Sequence, residues 1–251
     1  MRRMLSVVGL VGLSFAAMLS IASAASTTLQ IERFVYDGST PTTEGDEYVK
    51  ICNVSAGSIS LDGYKVGDEE TKGSTEGMYS LPAISLDSGS CIIVAKRADQ
   101  FNTRFGFNPD YEFAVGNDSA GVPNLTKYST WGTGDWGLSN SGDEILLLAS
   151  DDSLVDGICY EGGTNNFNNT GAGTIVTDAC SNLNVSDGQG LRRTTATDTD
   201  TTSDFGTLLP TAITLRTLDA RAAPVSPLAV ALPALGLVAA GGVVAYRRRR
   251  A

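Results

Sequence analysis

The sequence predicts an all-β fold, either a sandwich or a barrel. Short runs of alternating apolar and polar residues recur along the chain, with Gly, Asp, Asn and Ser between them. Between the two ends of the chain, no long segment has the 3.6-residue period of an amphipathic helix. Short strands joined by turns are typical of sandwiches and barrels.

Six segments are predicted to form strands, and they are residues 29–38, 46–53, 58–68, 88–101, 143–150 and 154–161. In residues 46–53 the alternation is clean, with Val49 and Ile51 on one face. The block ILLL at residues 145–148 has no polar face, which indicates a strand covered on both sides.

Three segments are predicted to lie outside the strands. Residues 96–106 are expected to hold one short helical turn at most. Residues 164–187 are rich in Asn, Gly and Thr and indicate a long loop, pinned by Cys180. Residues 194–203 read TTATDTDTTS, which is too polar to pack, so we expect this segment at the surface or extended.

The first 24 residues are predicted to be a signal peptide. Arg2 and Arg3 precede an apolar run, and the sequence ASA at residues 22–24 has the small-x-small pattern that signal peptidase cleaves. The mature chain is therefore expected to begin near Ala25, outside the cytoplasm.

The C-terminal region is predicted to anchor the chain in a membrane. From Val225 to Tyr246 there is no charge, and about 22 residues at ~1.5 Å per helical residue span a bilayer core. The chain then carries a basic cluster of four residues, Arg247, Arg248, Arg249 and Arg250. The positive-inside rule keeps such a cluster cytoplasmic.

The predicted order is a signal peptide at 1–24, an ectodomain at 25–210, a linker at 211–224, a transmembrane helix at 225–246 and a basic tail at 247–251. Proline, apolar helix and terminal arginines also resemble the sorting tails of prokaryotic surface proteins, which membrane transpeptidases cut. Neither Leu-Pro-x-Thr-Gly nor Val-Pro-Glu-Pro is present, and Pro224 and Pro227 are only a loose substitute. Cleavage of the tail is therefore left open.

The composition excludes several classes of function. The chain carries 28 acidic and 18 basic residues, and six of the basic ones lie in the two end segments, so the exported part has a net charge of about −16. Such a surface repels phosphate backbones, which argues against nucleic acid as a partner. The chain has no histidine, which removes His-based triads, His general bases and nearly every catalytic zinc site.

The four cysteines, Cys52, Cys91, Cys159 and Cys180, predict two disulfides, because their number is even and the chain is expected to be exported. No close pair such as C-x-x-C is present, which disfavours a metal site. Three connectivities remain open, and we favour Cys52–Cys91 and Cys159–Cys180, which join neighbours in the order of the chain.

Two pairs of neighbouring acids are candidates for acid–base chemistry, Asp143 with Glu144 and Asp151 with Asp152. Glycoside hydrolysis needs two carboxylates about 5–10 Å apart in a cleft. Neighbouring residues of a strand point to opposite faces, so we expect neither pair to converge. Solvated turns are the favoured interpretation.

Calcium is the only cofactor that the sequence indicates, as an alternative to solvated loops. The candidate ligands are Asp151, Asp152 and Asp156 in the segment DDSLVDG. Hard oxygen ligands on loops suit calcium, although neither this segment nor TDTDTTSD has the order of an EF-hand loop.

Two further features have a structural and a functional interpretation. Trp131 and Trp136 are predicted to cover the end of the core rather than to stack on a sugar.

Five Asn-x-Ser/Thr sequons occur, at Asn53, Asn117, Asn124, Asn168 and Asn184. In a host with oligosaccharyl transfer they would be acceptors. Because the C-terminal tail indicates a prokaryote, we attribute them to the Asn-, Ser- and Thr-rich composition.

An ordered set of motifs resembles the lamin tail domain. The motifs are EYVKICN at 47–53, LDGY at 61–64, SGSCIIV at 88–94, LSNSGD at 138–143, VDGICY at 155–160 and GQGLRRTTATDTDTTSDF at 188–205. Tyr64 stands where the family usually has Trp. The resemblance covers most of residues 29–210 and implies an immunoglobulin-like β-sandwich.

The resemblance implies a structural or interaction module, because the family has no shared catalytic triad to transfer. We therefore expect a non-catalytic protein, anchored by its C-terminal helix, that contacts an extracellular protein or polysaccharide. The alternatives are a calcium-dependent extracellular hydrolase and a self-associating component of a surface layer.

Overall fold

The computed structural model of the chain describes residues 28–39, 44–168 and 173–208, and all of them belong to one compact unit. The predicted signal peptide, linker, transmembrane helix and basic tail lie outside the described residues. Among the residues that are described, no helix is both long enough and apolar enough to cross a membrane.

Thirteen strands and one α-helix make up the described part of the chain. The strands are β1 (Leu29–Val35), β2 (Tyr48–Asn53), β3 (Ile59–Ser60), β4 (Lys65–Gly67), β5 (Met78–Ser80), β6 (Ser85–Leu86), β7 (Cys91–Ala95), β8 (Tyr111–Glu112), β9 (Thr126–Lys127), β10 (Asp143–Leu148), β11 (Leu154–Tyr160), β12 (Gly190–Arg193) and β13 (Phe205–Leu208). The helix is α1 (Ala98–Phe105), and short 3-10 turns lie at Cys180–Asn182 and Thr202–Asp204.

The strands form two main sheets. One has six strands in the order β13-β12-β1-β2-β7-β8, and the other has five in the order β11-β10-β4-β5-β9, while β3 and β6 pair separately. Every pair is antiparallel except β7 with β8. The fold is therefore mostly β-sheet, as the sequence predicts, and is consistent with an immunoglobulin-like sandwich.

A single hydrophobic core receives side chains from both sheets, including Phe34 and Val49 from the larger sheet and Ile158 from the smaller one. All six residues of β10 are buried, as the apolar block at 145–148 predicts for a strand covered on both sides. Trp131 and Trp136 are both buried in this core, which confirms their predicted packing role.

Helix α1 is longer than the single turn that the sequence predicts. Phe101 and Phe105, four residues apart, are buried on one of its faces and pack edge-on against Tyr48. The helix ends at Gly106, whose φ of 76° is the left-handed conformation that glycine adopts without strain. The helix is extended because it packs against the sheet. Eight residues are too few for the hydrophobic periodicity of the sequence to show this.

Both favoured disulfides are present, and no free cysteine remains in the described chain. Cys52–Cys91 joins the paired strands β2 and β7. Cys159–Cys180 joins β11 to the 3-10 turn in the long loop before β12. The loop predicted at 164–187 is thus pinned where the sequence indicates.

The polar segment 194–203 is only partly at the surface. Asp198 and Thr202 are buried, so the prediction that this segment is too polar to pack is wrong for these two residues. Their polar atoms are accommodated because each has a hydrogen-bond partner, Arg193 for Asp198 and Asp178 for Thr202.

Candidate functional site

The three acids predicted as calcium ligands do not converge on one site. Asp152 forms ion pairs with Lys65 and Lys72 at 2.7 and 2.8 Å. Asp151 is exposed and accepts hydrogen bonds from the backbone N–H and the hydroxyl of Ser153, as in a turn. Asp156 is paired with a buried arginine, so each of the three predicted ligands already has a partner within the fold.

That arginine, Arg193 at the end of β12, is the centre of a buried charge network. Its Nη2 donates to both carboxylate oxygens of Asp156 at 2.8 and 2.9 Å. Its Nη1 donates to Asp198 and Asp204 at 3.0 and 3.3 Å, and its Nε donates to the carbonyl oxygen of Ile31 at 2.9 Å. All three carboxylates are buried, so one guanidinium offsets three acids away from water.

The Arg193 network, defined as Arg193 with Asp156, Asp198 and Asp204, connects the two sheets to the chain between β12 and β13. Asp204 accepts hydrogen bonds from both the backbone N–H and the hydroxyl of Thr199, which fixes that connection. The network therefore gives a structural reason for the arginine and the final aspartate of the motif at 188–205.

Three other buried acids hold a turn rather than a ligand. The consecutive backbone N–H groups of residues 137–139 donate to Asp68, Glu47 and Asp143 at 2.8, 3.2 and 2.8 Å. Burial is the largest cause that raises the pKa of Asp68 to about 7 and that of Glu47 to about 8. These carboxylates come from different parts of the sequence and position the turn that precedes β10.

A cleft of about 320 Å³ lies beside this turn, between the β4–β5 connection and the start of β10. It contains five carboxylates, which we call the acidic cleft: Glu69, Glu70, Glu76, Asp143 and Glu144. Carboxylate oxygens of Glu69, Glu70 and Glu76 lie within 4.8 Å of one another, as do those of Glu76, Asp143 and Glu144. Within the described ranges, no Lys or Arg forms an ion pair with any of the five.

Protonation of its carboxyl groups reduces the electrostatic repulsion within the acidic cleft. Burial, with the hydrogen bond to Glu70 and the charge of Asp143, raises the pKa of Glu144 to about 10. Glu76 is exposed as a residue, but desolvation of its carboxyl in the cleft and the charges of the neighbouring acids raise its pKa to about 8. Carboxyl groups that keep their protons at neutral pH can lie this close together, because two ionised carboxylates would repel each other. An all-oxygen set also suits a hard cation such as calcium, although acidic groups are common without one.

The sequence analysis did not identify this cleft. Glu69, Glu70 and Glu76 were not candidates, and the expectation that Asp143 and Glu144 diverge is wrong, because each places an oxygen within 4.8 Å of Glu76. Asp143 is the first residue of β10 and its carboxylate turns back onto the N–H of Glu144. The available signal is the run DEETKGSTEG at 68–77, an acidic connection between two short strands.

The lamin tail domain family matches the chain over residues 22–162, which is more than half of its length. The chain belongs to the lamin tail domain family. Its family match ends at Gly162, and the larger sheet is completed beyond that point by β12 and β13. The family assignment therefore agrees with the motifs up to VDGICY, while the Arg193 network extends past the matched range.

Sequence and structure comparisons give different results for this chain. None of the functionally curated proteins matches the sequence. Among solved structures, the chain is similar to a DUF4876 family protein from Bacteroides thetaiotaomicron, with a TM-score of 0.43 and 14% sequence identity. The similarity covers 67% of this chain and 62% of that protein, so the chain spans less than two thirds of its relative.

Proposed function

We propose that this lamin tail domain protein is an exported, non-catalytic module, displayed at the cell surface to contact another protein or a polysaccharide. The observation that carries the proposal is the pair of disulfides, Cys52–Cys91 and Cys159–Cys180. Disulfides persist in oxidising compartments outside the cytoplasm. The predicted signal peptide and the predicted apolar segment at 225–246 agree with export followed by anchoring.

The roles of the buried acids support a binding function rather than catalysis. Asp156 neutralises Arg193, and Asp68, Glu47 and Asp143 accept the N–H groups of the turn at 137–139. A general acid or base needs a carboxylate directed at a substrate in a cleft. These four carboxylates instead have partners within the fold, so their buried, polar character has a structural explanation.

Localisation of the full chain in its cell of origin tests export and anchoring. We expect the protein in the envelope fraction, degraded by protease added to intact cells, and with all four cysteines protected from thiol reagents until it is reduced. A variant that lacks residues 225–251 is the matched control, and it should appear in the medium with both disulfides intact. Recovery of the full chain from the cytoplasm with free thiols would contradict the proposal.

Crosslinking on intact cells tests the display function. We expect the full chain to give a crosslinked species that contains a second extracellular protein or a polysaccharide. Crosslinks to copies of the same chain alone would instead favour the self-associating surface-layer alternative, and size-exclusion chromatography at rising concentration would then show oligomers.

The calcium-dependent hydrolase remains the enzymatic alternative, and the acidic cleft is the observation that favours it. Hydrolase activity that requires calcium and is lost in Glu144→Gln, with folding retained, would establish it. Asp143→Ala is a poorer test, because Asp143 also holds the N–H of Ser139.

A further inference from the structure

The five sequons differ sharply in their structural surroundings. Asn53 is fully buried in β2, and its amide donates to the carbonyl oxygens of Gly57 and Leu86 at 2.7 and 2.8 Å. Its own carbonyl accepts hydrogen bonds from the N–H and the hydroxyl of Ser55, the +2 residue of the sequon. This asparagine has a structural role and is inaccessible in the folded chain.

The sequon at Asn124 has the opposite character. Asn124 and the hydroxyl-bearing Thr126 are both exposed, whereas Leu125 between them is buried. The backbone is extended there, because Leu125 donates its N–H to the carbonyl oxygen of Glu112 at 2.8 Å and Thr126 begins β9. Residues two apart in an extended segment point to the same side, so the amide and the hydroxyl face solvent together.

Competing hydrogen bonds also favour Asn124. Within the described chain, its side-chain amide forms no hydrogen bond, whereas the amide of Asn117 donates to Asp99 at 3.2 Å. The hydroxyl of Ser119, two residues after Asn117, accepts the N–H of Asp99 at 3.1 Å. A transferase must engage the amide and the hydroxyl of a sequon, and at Asn124 both are available without breaking a bond inside the fold.

The remaining two sequons are weaker candidates. In the amide orientation that satisfies its surroundings, the nitrogen of Asn184 donates to the carbonyl oxygens of Ser181 and Leu183 at 2.9 and 3.0 Å, which occupies the reacting atom. Asn168 is exposed, but the rest of its sequon lies outside the described residues.

The exposed, extended sequon at Asn124 departs from the compositional interpretation of the five sequons, and we propose that Asn124 is a site of N-glycosylation. The proposal rests on the export part of the proposed function, because the co-reactant is an oligosaccharide carried on a lipid phosphate at the outer side of the membrane. The side-chain nitrogen of Asn124 attacks the anomeric carbon of the oligosaccharide, and a C–N bond forms. The C–O bond to the phosphate breaks, the lipid phosphate leaves with the electron pair, and the amide proton passes to a base of the transferase.

The position of Asn124 gives the modification a physical consequence. β9 is the outer strand of the five-stranded sheet and is only two residues long. Exposed strand edges are templates for pairing with other chains, and bulky polar groups beside them block that pairing. The residues just before β9 pair with β8, because Glu112 donates its N–H to Pro123 and Leu125 donates its N–H to Glu112. A glycan on Asn124 would therefore lie where the two sheets meet, next to the outer strand β9.

The test uses the full chain purified from the envelope of its cell of origin, with peptide mass spectrometry as the readout. We expect the peptide that contains Asn124 to carry a sugar mass and the peptide that contains Asn53 to be unmodified. Asn124→Gln and Thr126→Val should both abolish the added mass, and Thr126→Ser should retain it. Asn108→Gln is the matched control, an exposed asparagine outside any sequon, and should leave the modification unchanged.

An unmodified Asn124 in a protein that is located in the envelope with both disulfides formed would overturn the glycosylation proposal and leave export supported. Glycan on another sequon of the exported protein, with Asn124 unmodified, would also overturn it. A chain found in the cytoplasm with free thiols would overturn export and glycosylation together.

Discussion

The Arg193 network and the acidic cleft show two ways in which this acidic chain buries carboxylates. In the network, one guanidinium contacts Asp156, Asp198 and Asp204. In the cleft, no described cation pairs with the acids, and protons reduce the repulsion. Burial raises the pKa of Asp156 only to about 7, against the lowering effect of Arg193, whereas the pKa of Glu144 reaches about 10.

The comparison shows that the partner of a buried acid decides its role. The Arg193 network joins β1, β11 and β12 to the connection before β13, so its charges are part of the fold. The carboxyl groups of the cleft exchange protons with solvent, so the net charge of the cleft depends on the pH of the solution. The network should therefore respond strongly to mutation and weakly to salt, whereas the cleft should respond to pH and to salt.

Removal of the guanidinium should have the largest effect. Arg193→Met leaves three buried carboxylates without a cation, and breaking a buried ion pair from one side costs about 3–5 kcal/mol. We expect the free energy of unfolding, measured by urea denaturation at pH 7, to fall by about that amount.

The neighbouring residue provides the control for this experiment. Arg192 is half-buried and forms no ion pair with a described residue, so Arg192→Met should cost less than about 1 kcal/mol. Equal losses in the two variants would mean that the network contributes nothing beyond an arginine at the surface.

Neutralising Glu144 should change the response of stability to pH. A carboxyl whose folded pKa is raised contributes its full stability below its unfolded pKa, and the contribution is lost as the pH rises toward about 10. Between pH 5 and pH 7 the wild type should lose about 2.5 kcal/mol more than Glu144→Gln, which cannot ionise, because each pH unit between the unfolded and the folded pKa costs about 1.4 kcal/mol. Thermal unfolding at several pH values measures this difference.

Asp118→Asn, on an exposed loop, is the control for the pH experiment and should follow the wild-type curve. A Glu144→Gln variant that loses as much stability as the wild type over this range would show that Glu144 does not hold a proton in the fold.

The contrast between the two regions also explains what the sequence could predict. The strands, the disulfide pairing and the buried tryptophans follow from local pattern, cysteine order and the family motifs, because each signal lies in one short segment. The β10 block at 145–148 is an example, since four apolar residues in a row determine burial on both faces.

The acid clusters could not be predicted in the same way. Asp156 is separated by 37 residues from Arg193 and lies in the other sheet, so the packing of the two sheets brings them together. Glu76 is separated by 67 residues from Asp143, and the pairing of β4 with β10 brings them together. The segment DDSLVDG suggested a calcium site because three acids are close in sequence. In the fold, Asp152 contacts two lysines and Asp156 contacts Arg193, because the chain between them turns and crosses the sheet.

Neutralising one acid of the network should have a smaller effect than removing its arginine. Asp198→Asn keeps an oxygen that can accept from Nη1 of Arg193 and removes one of three negative charges around a single positive one. We expect a loss of about 1 kcal/mol in urea denaturation, a typical value for one hydrogen bond. A loss as large as that of Arg193→Met would show that charge compensation is not shared among the three acids.

Salt should have the smallest effect, and it should act on the cleft alone. At pH 9, which is above the pKa of Glu76 and close to that of Glu144, raising NaCl from 0.15 to 1 M shortens the screening length from about 8 to about 3 Å. We expect the wild type to gain a few tenths of a kcal/mol, and Glu76→Gln to gain less, because Glu76 is exposed and lies between the two groups of acids. Asp198→Asn should respond as the wild type does, since the Arg193 network is buried and poorly screened. If Glu76→Gln and the wild type gain equally from salt, repulsion among the cleft carboxylates is negligible. The cleft and the Arg193 network would then not differ in their response to salt.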